Sequence, residues 1–397
     1  MSRPAIPRTV WMLGFISLFM DFSSELIHAL LPIFLVTTLG MSVTALGLLE
    51  GIAEASALIV KIFSGPVSDW LGKRKALLLF GYGLSALTKP LFPLATSPAW
   101  AITARLLDRV GKGIRGAPRD ALVADVTPQD IRGACFGLRQ SMDTYGAVAG
   151  PLAAVCLMLL FADHLRVVLW FAVIPAVVVL ALIAFGIHEP AHDDAPRRFQ
   201  SPLHWRSLRE LKTNYWQVVV IGATFTLARF SEAFLVLRAQ QTGLNIAWVP
   251  GVMALMSLTY ALSAYPIGKL SDRLDRHMLL AAGLVLLVIA DVLLGTSTSV
   301  ALVFTGVAVW GLHMGFTQGV LSAMVADTAP QALRGTAFGI FNLASGVCML
   351  ISSALAGWLW DRHGASATFF VGAALALVSL GLYGAARWFN ARGRRVG

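Results

Sequence analysis

Apolar residues along this chain come in long runs, with no strict alternation and no heptad. A helix needs about 20 mainly apolar residues to cross the hydrocarbon core of a bilayer. The chain offers twelve such stretches: 10–37, 43–67, 75–96, 99–125, 140–161 and 167–187, then 215–237, 246–270, 278–297, 299–326, 337–360 and 366–387. Lipid provides no hydrogen-bond partners for backbone groups, so every stretch is predicted to be a helix. The opening run, from about Val10 to Thr37, is too long and too polar in its middle for a cleavable leader and is read as the first span.

One long polar stretch, His188 to Asn214, separates spans 6 and 7 and contains Pro190, Asp193, Asp194, Pro196 and several arginines. The expected organisation is an N-terminal six-helix half (1–187), a cytoplasmic linker (188–214) and a C-terminal six-helix half (215–397). The later part of the linker, Leu203 to Lys212, is weakly amphipathic. It fits a segment lying on the inner membrane surface and fits a solvated linker equally well.

Composition agrees with a lipid environment. Of 397 residues, 57% are hydrophobic and 13% charged, whereas soluble domains carry about 45–50% and about 25%. A net charge of +10 raises the question of nucleic acid. The basic residues, however, sit in separate loops: Arg3 and Arg8; Lys73, Arg74 and Lys75; Arg132 and Arg139; Arg197, Arg198, Arg206, Arg209 and Lys212; Lys269, Arg273 and Arg276; Arg334; and Arg392, Arg394 and Arg395. All fall on one side by the span count, and the other side holds little beyond Arg166, Arg238 and Arg362. The positive-inside rule then places both termini in the cytoplasm of a plasma (bacterial inner) membrane protein, with no nucleic-acid surface. Cys135, Cys156 and Cys348 lack pairing or metal spacing and read as small packing residues.

The sequence repeats itself. Asp125, Pro128, Gln129, Arg132, Gly133, Phe136 and Gly137 recur as Asp327, Pro330, Gln331, Arg334, Gly335, Phe338 and Gly339, at an offset of 202 residues. Gly65, Ser68 and Asp69, after span 2, recur as Gly268, Ser271 and Asp272, after span 8, at an offset of 203. A weaker pair is Ser24-Glu25 in span 1 and Ser231-Glu232 in span 7. A repeat of six spans is even, so both copies run the same way through the membrane. The fold class expected is an all-α membrane protein, with twelve transmembrane helices in two parallel pseudo-symmetric six-helix bundles.

These motifs resemble those of the major facilitator superfamily, and the resemblance covers the whole chain. Gly65-x-x-x-Asp69-x-x-Gly72-Lys73-Arg74-Lys75 resembles the superfamily's loop 2–3 motif, with a degenerate copy in loop 8–9 where Asp275 replaces the glycine. Gly146-x-x-x-Gly150-Pro151 in span 5 resembles the antiporter motif of the drug/proton exporters, with Ala154 and Val155 where two glycines usually stand. Arg109-x-x-x-Gly113 in span 4 resembles the motif whose arginine is linked to proton coupling.

The resemblance implies a gating network in the loops. Its expected members are Gly65, Asp69, Gly72, Lys73, Arg74, Asp125 and Arg132, and in the second half Gly268, Asp272, Arg273, Asp327 and Arg334. Asp69, a nearby arginine and Asp125 are expected to hold one conformation closed on the inside. Gly65 is expected to permit close helix approach, and Gly146, Gly150 and Pro151 to form a packing kink or hinge. Gly357-x-x-x-Asp361-Arg362-His363-Gly364 also looks like the loop motif but falls on the outside, so no gating role is assigned to it.

Ionisable groups inside spans are costly and mark function. Span 1 carries Asp21, Glu25 and His28 at helical spacing; span 2 carries Glu50, Glu54 and Lys61; span 3 carries Lys89. In span 4, Arg105, Asp108, Lys112, Arg115 and Arg119 make one stripe, with Arg109 and Asp120 beside it. Span 10 lacks these charges: Asp108, Arg109, Lys112 and Arg115 correspond to Trp310, Gly311, Met314 and Thr317. In span 7, Arg229 and Glu232 are spaced to pair; span 9 carries Asp291, and span 10 carries a lone His313. The proton-coupling and substrate cavity is expected to be lined by Asp21, Glu25, His28, Glu54, Asp108, Arg109, Lys112, Arg115, Arg229 and Glu232. His313 reads as a packing residue.

The expected activity is secondary active transport of a small molecule by alternating access, as proton-coupled export (antiport). Uptake or exchange of an anionic metabolite on the span 4 cations is the alternative, and a non-transporting membrane receptor is a third class. No nucleophile elbow, P-loop, zinc motif or nicotinamide fingerprint appears in context, so neither an enzyme, a metal, a cofactor nor self-contained ATP-driven transport is expected. The partners expected are substrate, protons and lipid, with the protein acting as a monomer.

Overall fold

The computed structural model describes residues 5–187, 210–271, 273–330 and 333–396. Asp272 and the linker up to residue 209 lie outside the described residues. Eleven helices among the described residues are long and apolar enough to cross a membrane: α1 (Arg8–Thr38), α2 (Val43–Leu71), α3 (Arg74–Leu94), α5 (Gln129–Leu160), α6 (Leu165–Gly186), α7 (Thr213–Gln241), α8 (Ile246–Ser271), α9 (Arg276–Thr296), α10 (Val300–Thr328), α11 (Arg334–His363) and α12 (Ala365–Leu382). The remaining predicted span, α4 (Pro98–Val126), has the length and lacks the apolar composition because of its charges. With it, the twelve-helix all-α architecture is complete.

The helix starts follow local chemistry. Ser97 is extended and Pro98 opens α4, where its missing N–H costs nothing. One repeat later the Ser299 hydroxyl accepts from the Leu302 N–H at the start of α10. Asp275, which replaces the loop glycine, accepts from the His277 N–H and caps α9. Helices α5 and α11 begin earlier than predicted because the polar Arg-Gly repeat forms their first turns. In α1, Pro32 removes a helical hydrogen bond, and the chain widens into a π-turn at Phe34–Thr38.

Helix α7 departs from its predicted continuous span. It is interrupted at residues 229–232, between helical segments Thr213–Ala228 and Ala233–Gln241. Groups freed there are satisfied by α11: the Ser352 hydroxyl donates to the Arg229 carbonyl at 2.9 Å, and the Ser231 N–H donates to the Ser353 hydroxyl at 3.2 Å.

The chain forms two compact units. One comprises Met1–Met41, Ile52–Pro202 and Asn245–Ala254, the other Ser42–Gly51, Leu203–Leu244 and Leu255–Gly397. In the first unit α1 packs along α5 and α3 along α4. A methyl placed on Gly146 would sit 2.3 Å from the Leu18 carbonyl oxygen, and one on Gly150 2.6 Å from that of Phe22. The motif glycines of α5 therefore bring its backbone against that of α1. In the second unit α9 packs on α10 and α12, and α7 on α11. There the Asp361 carboxylate accepts from the Val43 N–H, the Thr44 N–H and the Thr44 hydroxyl, at 3.3, 2.7 and 2.6 Å. The motif-like segment around Asp361 thus works as a helix cap for α2.

Of the cysteines, Cys135 is a buried packing residue as expected, whereas Cys156 is exposed and Cys348 half-buried.

Candidate functional site

The charges of α4 divide between two faces. One is sealed against α3. Lys89 donates to Asp108 at 3.0 Å and to the Ser24 hydroxyl at 3.0 Å, with the two charged side chains 1% and 5% exposed. Arg115 donates to the Ser85 hydroxyl and lies over the Tyr82 ring, 4.7 Å from its centroid. Asp108 and Arg115 therefore belong to a buried network that joins α3, α4 and α1.

The other face keeps access to solvent. Arg109 pairs with Glu54 of α2 at 3.1 Å. On α1, the Glu25 carboxylate and the His28 Nδ1 meet at 3.3 Å, one turn apart as the spacing predicts. Asp21 lies against Asp143 of α5, carboxyl to carboxyl, at hydrogen-bonding range. Two arginines flank that pair: Arg119 and Arg139 each approach Asp143 to 3.6 Å. Lys112 is exposed and acts electrostatically on both Asp21 and Glu25. The sequence reading missed Asp143, although it follows Arg139 by one helical turn and precedes Gly146 by three residues. Asp143 falls inside the predicted span 140–161, so an acid at membrane depth is the signal in the sequence that points to it.

The second half carries far less. Arg229 and Glu232 pair at 3.6 Å across the interruption of α7. His313 is fully buried, its Nδ1 donates to the Gly283 carbonyl at 3.0 Å, and its ring stacks on Phe225, in keeping with a packing residue.

At the loop ends, Arg74 reaches both Asp69 (3.3 Å) and Asp125 (2.6 Å). Gly72 has a φ of +63°, which explains the glycine in the turn. Gly65 has no such demand: an added methyl would make ordinary contact with Ala117, and at Gly268 it would meet nothing. Arg132 donates to the Ala124 carbonyl at 3.3 Å, while Lys73 and Arg334 are exposed. In the second half Asp327 pairs with Arg276, not with Arg273. Arg276 and Asp327 stand one repeat offset from Arg74 and Asp125, so both halves hold the same loop-end ion pair.

A family model described as Major Facilitator Superfamily matches residues 13–251 and 233–395, the length of the chain but for its ends. The chain belongs to this superfamily. Within it, the chain is 30% identical to an MFS-type transporter of Methanocaldococcus jannaschii over 94% of both chains. It is 25% identical to the multidrug resistance protein MdtH of Photorhabdus laumondii, covering 92% of this chain and 90% of that one. Among solved structures, a point mutant of the nucleoside transporter NupG superposes with a TM-score of 0.81 at 13% identity, covering 95% of this chain and 99% of that one. The D-xylose-proton symporter gives 0.70 at 16% identity, covering 95% and 96%. At such identities the likeness is one of fold.

As a major facilitator transporter, the protein is an integral multi-pass membrane protein, and its loop-end charges invite a comparison of two substitutions. The Arg74 side chain is 12% exposed and the Asp69 side chain 70%. Exposed ion pairs contribute about 0–1 kcal/mol, so Asp69→Asn should change little by itself. Asp125→Asn removes the closer partner of a half-buried arginine and should disturb transport more. Uptake or efflux assays on both variants at equal membrane levels check this ordering; a larger loss in Asp69→Asn reverses it.

Proposed function

We propose that this transporter couples proton movement to export of small organic compounds, with Asp21, Asp143 and Glu25 as the proton-handling carboxyls. The observation that carries the reading is the Asp21–Asp143 contact, since two carboxyls this close repel when both are ionised and a shared proton relieves that repulsion. Lys112, Arg119 and Arg139 surround the pair, so its charge state can change as these cations move. Exposed charges at membrane depth are tolerated where they face water, so Lys112 and Glu54 fit the wall of an aqueous path. Similarity to proteins named for multidrug resistance supports the export direction and the plasma-membrane location. The positive-inside rule supports a cytoplasmic position for both termini, and there the Arg74–Asp125 and Arg276–Asp327 pairs would act as inner gates.

Arg109, Glu54 and His28 would complete the responsive face, with Arg229 and Glu232 opposite in sequence repeat. Asp108 and Arg115 would support it from behind. The exposed cation Lys112 also fits capture of an anionic substrate, the second reading. Proteoliposomes loaded with a fluorescent lipophilic dye separate the readings. Under a pH gradient, Asp21→Asn and Glu25→Gln should each abolish uphill dye movement while downhill exchange persists. Gradient-driven transport at the normal rate in both variants would sink the coupling role. Anion transport that Lys112→Ala eliminates would favour the second reading.

A further inference from the structure

Helix α9 packs on α10 in the same register as α3 on α4. A methyl added at Gly81 would lie 3.0 Å from the Arg115 Cβ, and one at Gly283 2.3 Å from the Thr317 Cγ2. Both members of the second contact stand 202 residues after those of the first. The same offset carries Lys89 to Asp291 and Asp108 to Trp310. The buried Lys89–Asp108 pair therefore has Asp291 and Trp310 at the equivalent positions of the second half.

The counterpart lacks its cation. Asp291 is 0% exposed, and neither carboxyl oxygen has a hydrogen-bond partner among the described residues. Its Oδ2 lies 2.7 Å from the point where a methyl on Gly372 of α12 would sit, and the Phe230 ring of α7 lies 2.9 Å from that point. Phe230 packs on Trp310 at 5.3 Å between centroids, and Trp310 on His313 at 6.2 Å. The charged or titratable groups on the packed elements are His313 on α10 and Arg229 and Arg238 on α7; Arg229 pairs with Glu232, and Arg238 directs its guanidinium to the Leu294, Gly295 and Ser297 carbonyls and to Gln241. His313 donates its Nδ1–H to the Gly283 carbonyl, and its buried Nε2 has no hydrogen-bond partner among the described residues.

A carboxylate at membrane depth without a counter-charge is costly. A metal cation requires several oxygen ligands, and no three His, Cys, Asp or Glu residues gather among the described residues. Aromatic rings and a glycine backbone surround this carboxyl. We propose that Asp291 is a proton-binding site of the C-terminal half, where one proton takes the place of the Lys89 ammonium of the N-terminal half. The step adds a proton to one carboxylate oxygen and changes no other bond. Phe230, which covers the carboxyl, lies in the interruption of α7, so movement of that segment exposes the site and lets the proton exchange.

Infrared difference spectroscopy of the purified full-length protein in lipid reads the carboxyl directly and needs no substrate. At neutral pH the wild-type minus Asp291→Asn spectrum should show the carbonyl stretch of one protonated carboxyl, and the band should shift down in deuterium oxide. Asp291→Glu keeps the acid and should move the band without removing it, which serves if the Asn variant does not assemble. Identical carboxyl bands in the wild type and its variants overturn the proposal. A band that never shifts in deuterium oxide does so too, since it marks a trapped structural proton.

Discussion

Asp108→Leu should be the most damaging single substitution among the buried charges of the first half. Removing one partner of a buried ion pair costs about 3–5 kcal/mol because the other charge remains buried. The two partners are not equivalent here. Asp108 lies near Arg105, Arg109 and Arg115 as well as Lys89, so Lys89→Met leaves it cationic neighbours. Lys89 has Asp108 as its anion and Arg109 and Arg115 as further cations nearby. Losing Asp108 thus strands an ammonium among guanidiniums at 1% exposure. Against a typical total of about 5–15 kcal/mol, the Leu variant should largely disappear from the membrane. Lys89→Met should survive at reduced thermal stability, and the double variant should recover most of the loss. Melting in detergent and membrane abundance of all three variants test this, and a Lys89→Met variant less stable than Asp108→Leu contradicts it.

Gly146→Val should have the second large effect, by a different route and mainly on transport. The added Cβ would meet the Leu18 carbonyl at 2.3 Å and the Phe22 N–H nitrogen at 3.0 Å, both backbone atoms of α1. No rotamer relieves a backbone clash, so α5 must move away from α1. Overpacking in a well-packed site costs about 1–3 kcal/mol, and here the displaced helices carry Asp21, Glu25 and Asp143. Transport should fall further than stability does, because those carboxyls must stay in register. Gly137→Ala is the control: its methyl meets nothing within 4 Å, and alanine favours the helix by about 1 kcal/mol. Normal transport by Gly146→Val at normal membrane levels would remove the close-approach role from the α5 glycines.

Much of this protein follows from sequence alone because lipid makes the rules simple. Span length, basic loops and a six-span repeat lead to twelve helices in two similar halves, and helical spacing suffices to place Glu25 beside His28 and Arg229 beside Glu232. The family resemblance, not spacing, points Asp69, Arg74 and Asp125 to one network. Partners on different helices are another matter, since their meeting depends on packing register. The α4 stripe looked uniform, yet Asp108 and Arg115 turn to α3 while Lys112 faces Asp21 and Glu25. Asp143 acquires meaning from glycines that press α5 onto α1. The break in α7 has neither proline nor glycine at residues 226–233 to announce it; Ser352 and Ser353 of α11 decide it by satisfying the freed backbone groups. Hydrophobic pattern determines which segments enter the membrane, and side-chain packing determines which charges find each other there.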